Sequence, residues 1–299
     1  MVTLQSSPAE RHILAVSGGH SEGRKVTNST TGASNIFELL ASAEMPDGRG
    51  YGSTLSTGRL FIDFTMDNLV GDVKIFNPKA AIPDKGRSLI ILAAHGGVLG
   101  PLPTMAALGR MYIDHGLGDQ TIGFYTHRAI QLVPGMKTVF EKMGALYRVS
   151  DVEDLARRLK SGGVRIAGNA LEGVSCMFSW TEFVGPFHTG GMIAAAIMSG
   201  ASICLLTHQG ADPWNLQVNL PFGMTVPKTR GLRGLNIPIA PIRRIEHLSV
   251  LCRRYRLRVK KSDFLSKMDR GERHIAIKRE METIRDRLNL MTAELKKMR

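Results

Sequence analysis

From Gly58 onward, short apolar runs alternate with helically spaced segments, and this alternation constrains the fold more than any other feature. LFIDFTMDNLVGDVKIF and SLIILAAHGG are apolar, partly β-branched runs broken by Gly, which read as strands. MAALGRMYIDHG follows with helical spacing, and TIGFYTHRAI reads as the next strand. PGMKTVFEKMGAL is a predicted helix, opened by Pro134 and closed by Gly144. DVEDLARRLKSGG is another, capped by Ser150. It has Asp151, Glu153 and Asp154 in its first turn and Arg157, Arg158 and Lys160 in its last, matching the helix dipole at both ends. VRIAGNAL (strand), GGMIAAAIMSG (small-residue helix) and SICLLTHQG (strand) complete the series. Such alternation predicts an α/β fold: a single domain with a mostly parallel sheet covered by helices on both faces.

With 299 residues the chain can bury a full core without disulfide or metal staples. Hydrophobic residues at 43% and charged residues at 22% exclude a wholly disordered, collagen-like or polytopic membrane chain. The longest uncharged stretches, 88–109 and 183–211, are broken by Gly, Pro or His and read as buried strand–helix pairs rather than membrane spans. Glu10, Arg11 and His12 interrupt the N-terminal apolar run, so no secretory signal is expected. Three cysteines, Cys176, Cys204 and Cys252, form no CxxC pair, which points to a reducing, cytoplasmic setting. Residues 17–35 have too few apolar side chains to offset the entropy of ordering. They predict a partly disordered N-terminal arm over 1–50, ahead of a domain over 51–262.

Charge is uneven along the chain. Residues 225–299 hold 21 Lys and Arg against 8 Asp and Glu, and so carry the whole net charge of +13. The segment 228–261 interleaves these cations with Leu, Ile and Pro, which predicts contact with an anionic membrane surface and a peripheral location, the alternative being a solvated basic face. With one aromatic, Tyr255, and no recognisable binding module, the segment argues against nucleic acid. In the C-terminal helix expected over 263–299, Ile277, Met281, Ile284, Leu288, Met291, Leu295 and Met298 follow alternating steps of four and three. That stripe fits either a homodimer seam through 277–298 or a helix folded back on its own domain.

His95 ends a predicted parallel strand in His-Gly-Gly, at the edge where open α/β sheets gather their sites. Gly96 and Gly97 would let a substrate approach the backbone, and a histidine there can take a proton near neutral pH. A structural loop histidine fits the same residues. Glu172 stands at a second strand edge after VRIAGNAL, where it is either a site carboxylate or a solvated loop residue. His127, Arg128, His188 and His208 lie near other predicted edges. His208 with Asp212 makes at most two ligands of a metal site, so no metal is expected. There is no GxSxG elbow, no GxxxxGK[ST] loop and no GxGxxG at a strand end, which leaves serine-hydrolase and nucleotide chemistry without a motif.

In order and spacing, LIILAAHGGVLGPLP, GFYTHRAIQLVPGMKTVFEKMGAL, VRIAGNALEGV and HTGGMIAAAIMSGASICLLTHQG resemble the four sequence blocks of the glycerolipid acyltransferase superfamily. The third block is most similar to its diacylglycerol acyltransferase branch, and the resemblance spans roughly 88–262. It implies that His95 is the general base on the acceptor hydroxyl and that Glu172 binds the acceptor or positions His95. It also implies that Gly96, Gly97, Arg128, Pro134, Gly135, Asn169 and Gly173 line the substrate site. The family's usual Asp five positions after the histidine is here Gly100, so what orients the imidazole is open.

The activity implied is transfer of an acyl group from acyl-CoA or acyl carrier protein, as co-substrate and without further cofactor, to a hydroxyl or amine of a lipid-like acceptor at a membrane. Phosphate-binding members resemble one another in an Arg just after the third-block Glu-Gly. Here Val174, Ser175, Cys176, Met177 and Phe178 follow, which predicts a non-phosphorylated acceptor. The alternative is a non-catalytic, membrane-associated lipid-binding or interaction protein on the same fold.

Overall fold

Leu89 to Leu92 are buried without interruption because their strand is covered on both sides. The structure, a computed structural model, describes residues 2–4, 53–54, 58–97, 99–124, 152–180, 182–187, 190–219, 232–238 and 243–298. Its strands are β1 (Val2–Leu4), β2 (Ser53–Thr54), β3 (Val70–Phe76), β4 (Leu89–Ala93), β5 (Thr121–Phe124), β6 (Ile166–Ala170), β7 (Phe178–Trp180), β8 (Ser202–Gln209), β9 (Asn215–Asn219), β10 (Leu232–Pro238) and β11 (Ile245–Tyr255). Its helices are α1 (Arg59–Phe64), α2 (Pro101–Asp114), α3 (Val152–Ser161), α4 (Gly191–Ser199), α5 (Lys261–Ser266) and α6 (Arg270–Lys297).

Eight strands form one sheet in the order β1-β3-β11-β8-β4-β6-β5-β2. β8, β4, β6 and β5 run parallel, as do β3 and β11, and the two blocks meet in the antiparallel pair β11–β8. The mostly parallel α/β architecture expected from the alternation is therefore present. β7, β10 and β9 form a separate antiparallel sheet.

Period-two side-chain alternation builds two cores from the same strands. Ile90, Leu92, Ile203 and Leu205 face one side, with α3, α4 and α6 packed over them, while Leu89, Ile91, Cys204 and Leu206 face α2 on the other. Burial of each such Leu or Ile contributes roughly 1.5–3 kcal/mol.

One expectation is corrected, and two are made specific. Residues 59–69, taken as strand, form α1 and a wide helical turn, with Ile62, Met66 and Leu69 on the core side at helical spacing. The fold divides the basic segment 228–261: β11 lies inside the sheet, with Ile245, Leu248, Val250, Leu251 and Cys252 buried. Of its cations, Arg253 pairs with Glu294 and Arg254 with Asp84. For the C-terminal stripe, the structure shows the second of its two alternatives, the helix folded back on its own domain. Ile284, Leu288, Met291 and Leu295 are at most 2% exposed, because α6 lies on its own sheet with Thr292 bonded to Thr207 of β8 at 2.5 Å. The stripe is filled by the chain itself, so it is not free to form a dimer seam. A capping box, Asp269 with Glu272, fixes where α6 begins.

The predicted helix at 134–144 and residues His127, Arg128, Pro134, Gly135 and His188 lie outside the described residues, as do 228–231 and 239–242 of the basic segment. Among the described residues, no helix is long and apolar enough to cross a membrane.

Candidate active site

The register of the parallel sheet assembles the site. Ala93 of β4 lies opposite Ala170 of β6, so the residues two further on, His95 and Glu172, emerge side by side at the carboxyl edge. On the other flank Ala93 lies opposite Leu206, and His208 stands two residues beyond it. A histidine, a glutamate and a second histidine thus meet above three adjacent strands.

His95 is held at three points. Its main-chain N–H donates to Glu172 Oε2 at 2.5 Å. Its carbonyl accepts from His208 Nε2 at 3.1 Å. Its ring Nδ1 lies 2.5 Å from the Gly97 carbonyl oxygen. A carbonyl can only accept, so Nδ1 carries the proton and Nε2 keeps its lone pair. Loss of solvation lowers the His95 pKa to about 4, against an opposing effect of the Gly97 bond and with a smaller lowering from His208. The ring is therefore neutral at pH 7.

The Gly97 carbonyl therefore fixes the orientation of the imidazole, which the sequence leaves open with Gly at position 100. No side chain fits at Gly100: a Cβ there would stand 2.1 Å from the His95 oxygen and 2.8 Å from the His208 ring. Gly96 and Gly97, with φ of 60° and 110°, take a backbone path that L side chains rarely adopt. Both are also crowded, a Cβ at Gly96 meeting Phe183 and His208, and one at Gly97 meeting Asn215. Among the described residues, the N–H groups of Gly96 and Gly97 have no protein acceptor. They precede α2, whose N-terminal end favours negative charge.

Glu172, 2% exposed, spends its second oxygen on the Gly185 N–H at 2.7 Å. Burial raises its carboxyl pKa to about 7, against the lowering effects of the Gly185 and His95 bonds and of Arg285. It positions His95 through the main chain rather than through the ring. The segment 182–187 is fastened in turn by α6. Arg285 bonds the Val184 carbonyl at 3.1 Å and Glu182 at 2.8 Å, and Asn289 accepts from the Val184 N–H at 3.0 Å.

The remaining sequence candidates are placed differently. Gly173 follows Glu172 with φ of 52° and opens a short helical turn over Gly173–Met177. Asn169 stays within β6 opposite Leu92, and makes no hydrogen bond to His95 or Glu172 among the described residues. His208, neutral because burial lowers its pKa, supports His95 rather than pairing with Asp212 as a ligand. Among the described residues no three His, Cys, Asp or Glu side chains gather as metal ligands.

Sequence reasoning missed Asn215, whose Oδ1 accepts from the Leu99 N–H at 3.1 Å and steadies the loop before α2. It also missed Gly185, Arg285 and Asn289. Their roles arise from tertiary contacts 13 to 116 residues apart, which leave no local signal.

No protein-family model matches the chain, and no curated protein matches it. Among solved structures, it is similar to the crystal structure of the 1-acyl-sn-glycerophosphate (LPA) acyltransferase PlsC from Thermotoga maritima. Sequence identity is 12% and the TM-score 0.43, over 86% of this chain and 80% of that one. The diacylglycerol acyltransferase branch receives no support from these comparisons.

Proposed function

We propose that the protein is an acyltransferase that moves an acyl group from a thioester of CoA or acyl carrier protein to a hydroxyl or amine of a lipid-like acceptor. The observation that carries this reading is His95, neutral at pH 7, with Nδ1 committed to the Gly97 carbonyl and Nε2 left as the basic nitrogen at the sheet edge. His95 Nε2 takes the proton of the acceptor hydroxyl while its oxygen bonds to the thioester carbonyl carbon. As the tetrahedral intermediate collapses, the carbon–sulfur bond breaks and the thiolate takes the proton back from Nε2. The N–H groups of Gly96 and Gly97 are the nearest donors for the oxyanion.

The acceptor carries no phosphomonoester beside the reacting hydroxyl. After Glu172, the described side chains are uncharged: Ser175 and Cys176 are buried and Met177 is exposed. Arg285, which acts on Glu172, is committed to Glu182 and Val184. Lys296 lies over the Phe183 ring, 5.8 Å from its centroid, and Arg128 is a further cation that the sequence resemblance offers to the acceptor. Glycerol 3-phosphate, lysophosphatidic acid and neutral long-chain alcohols or diacylglycerol, compared in one assay with labelled acyl-CoA, test the reading. Transfer to the neutral acceptors is expected. Preference for a phosphorylated acceptor, lost on Arg128→Ala, would refute the acceptor class and leave the acyl transfer standing.

A further inference from the structure

The antiparallel sheet β7-β10-β9 turns an apolar face to water. Val218 lies opposite Leu235, and Leu216 opposite Ile237. Alternation along the strands puts all four on one face. They are 50% (Leu216), 44% (Val218), 46% (Leu235) and 43% (Ile237) exposed, although cross-strand apolar pairs of this kind normally lie under a covering layer. The opposite face is the packed one. Gly234 is buried there, and the Asn236 amide donates to the carbonyls of Cys176 and Phe178.

Charge marks what this face fits. From Asn215 to Ile245 the sequence contains no Asp or Glu, but it holds Lys228, Arg230, Arg233, Arg243 and Arg244. Arg233 is exposed two residues before Leu235, at the register shift between Leu232 and Gly234 where β10 begins, and so stands at the end of the strand that carries the apolar face. Arg233, Arg243 and Arg244 are exposed, and among the described residues none of them forms an ion pair. This contrasts with Arg253 and Arg254 further along, which are paired.

We propose that this face, the four apolar side chains of β9 and β10 with their unpaired cations, is where the protein lies on an anionic lipid bilayer. An acidic protein or a nucleic acid would answer the cations but set charge against Leu216, Val218, Leu235 and Ile237. A bilayer offers negative head groups and, a few ångströms deeper, hydrocarbon, which meets both parts of the face. The surface also adjoins the candidate site, since β9 begins at Asn215, the residue that holds Leu99 and packs on Gly97. The inference does not need the acyl-transfer reading, because bilayer binding is measured without any reaction.

The test is sedimentation of the full chain with vesicles of phosphatidylcholine alone or mixed with phosphatidylserine, at low and high salt. Wild type is expected to bind the phosphatidylserine vesicles and to weaken as salt rises. Leu235→Ser/Ile237→Ser, on an exposed face, keeps its thermal transition and binds about tenfold more weakly. Arg243→Gln/Arg244→Gln also loses about tenfold, and its residual binding responds less to salt. Leu265→Ser and Leu290→Ser, at exposed apolar positions on α5 and α6, bind as wild type. Unaltered binding by the Leu235/Ile237 variant, or equal binding of wild type to both vesicles at all salt concentrations, would overturn the proposal. A shift of that variant from dimer to monomer without loss of vesicle binding would overturn it too, and would assign the face to a second copy of the chain.

Discussion

Gly100→Ala should damage the site more than the fold. The added Cβ would stand 2.1 Å from the His95 carbonyl oxygen and 2.8 Å from His208 Cε1. Ordinary heavy-atom contact is about 3.5 Å, so relief requires roughly 1.4 Å of movement. The near atom is backbone, and rotating a side chain cannot supply that movement. Either the first turn of α2 retreats or the 94–97 loop shifts, carrying with it the Gly97 oxygen that orients the imidazole. Overpacking of this kind typically costs about 1–3 kcal/mol, which should appear as a loss of several degrees in melting temperature. Misplacing a catalytic group by about 1 Å costs on the order of a hundredfold in rate. Thermal melts followed by circular dichroism and acyl-transfer rates measure the two effects side by side. Gly163→Ala is the control, because its nearest neighbours lie 3.5 Å or more away. Gly100→Asp, which restores the residue expected from the family resemblance, should fail as badly as Gly100→Ala. A Gly100→Asp protein with the wild-type melting temperature and an equal or higher rate would refute the reasoning.

Two further outcomes follow from burial. Glu172 has its folded pKa raised from 4.5 to about 7, so the protonated form is favoured in the fold, and this contribution to stability is lost as pH rises from about 4.5 to 7. His95, lowered from 6.5 to about 4, acts in the opposite direction: stability is lost as pH falls from about 6.5 to 4. In wild type the two slopes largely cancel where they overlap. Denaturation of Glu172→Gln and His95→Gln at several pH values should therefore unmask slopes of opposite sign, each on the order of 3 kcal/mol across its window, and parallel curves for both variants would contradict the assignments. Leu288→Ala, at a residue with no exposed surface, should cost about 2–5 kcal/mol in chemical denaturation while leaving the sedimentation coefficient unchanged. Loss of a dimer instead would show that α6 is an interface.

The parts of the fold that were legible in sequence are those where local pattern and burial agree. β4, β6 and β8 are apolar runs closed by Gly or polar residues, and their parallel register is what brings His95 and Glu172 together. α1 was misread because its aromatic and β-branched residues suit a strand, and only packing on α2 reveals the helical face. β11 was hidden by Arg253, Arg254, Arg256 and Arg258, which dominate the composition of a segment whose first half is core. β9 and β10 alternate apolar and polar residues, as in Asn215-Leu216-Gln217-Val218-Asn219, but each is short, and their pairing with β7 is a long-range contact with no local signal. The orientation of His95 could not be read at all. It depends on a main-chain carbonyl, and any residue type supplies one.

The central claim is that His95 Nε2 is the base of an acyl transfer. It is tested most directly by incubating purified wild type and His95→Ala with labelled acyl-CoA or acyl carrier protein and a lipid extract, and measuring labelled lipid product. The account predicts product with wild type, and a loss of about a hundredfold to ten-thousandfold with His95→Ala, whose fold is retained. A folded His95→Ala protein that transfers within a few-fold of wild type would contradict it, as would a wild type that binds acyl lipid but forms no product with any acceptor.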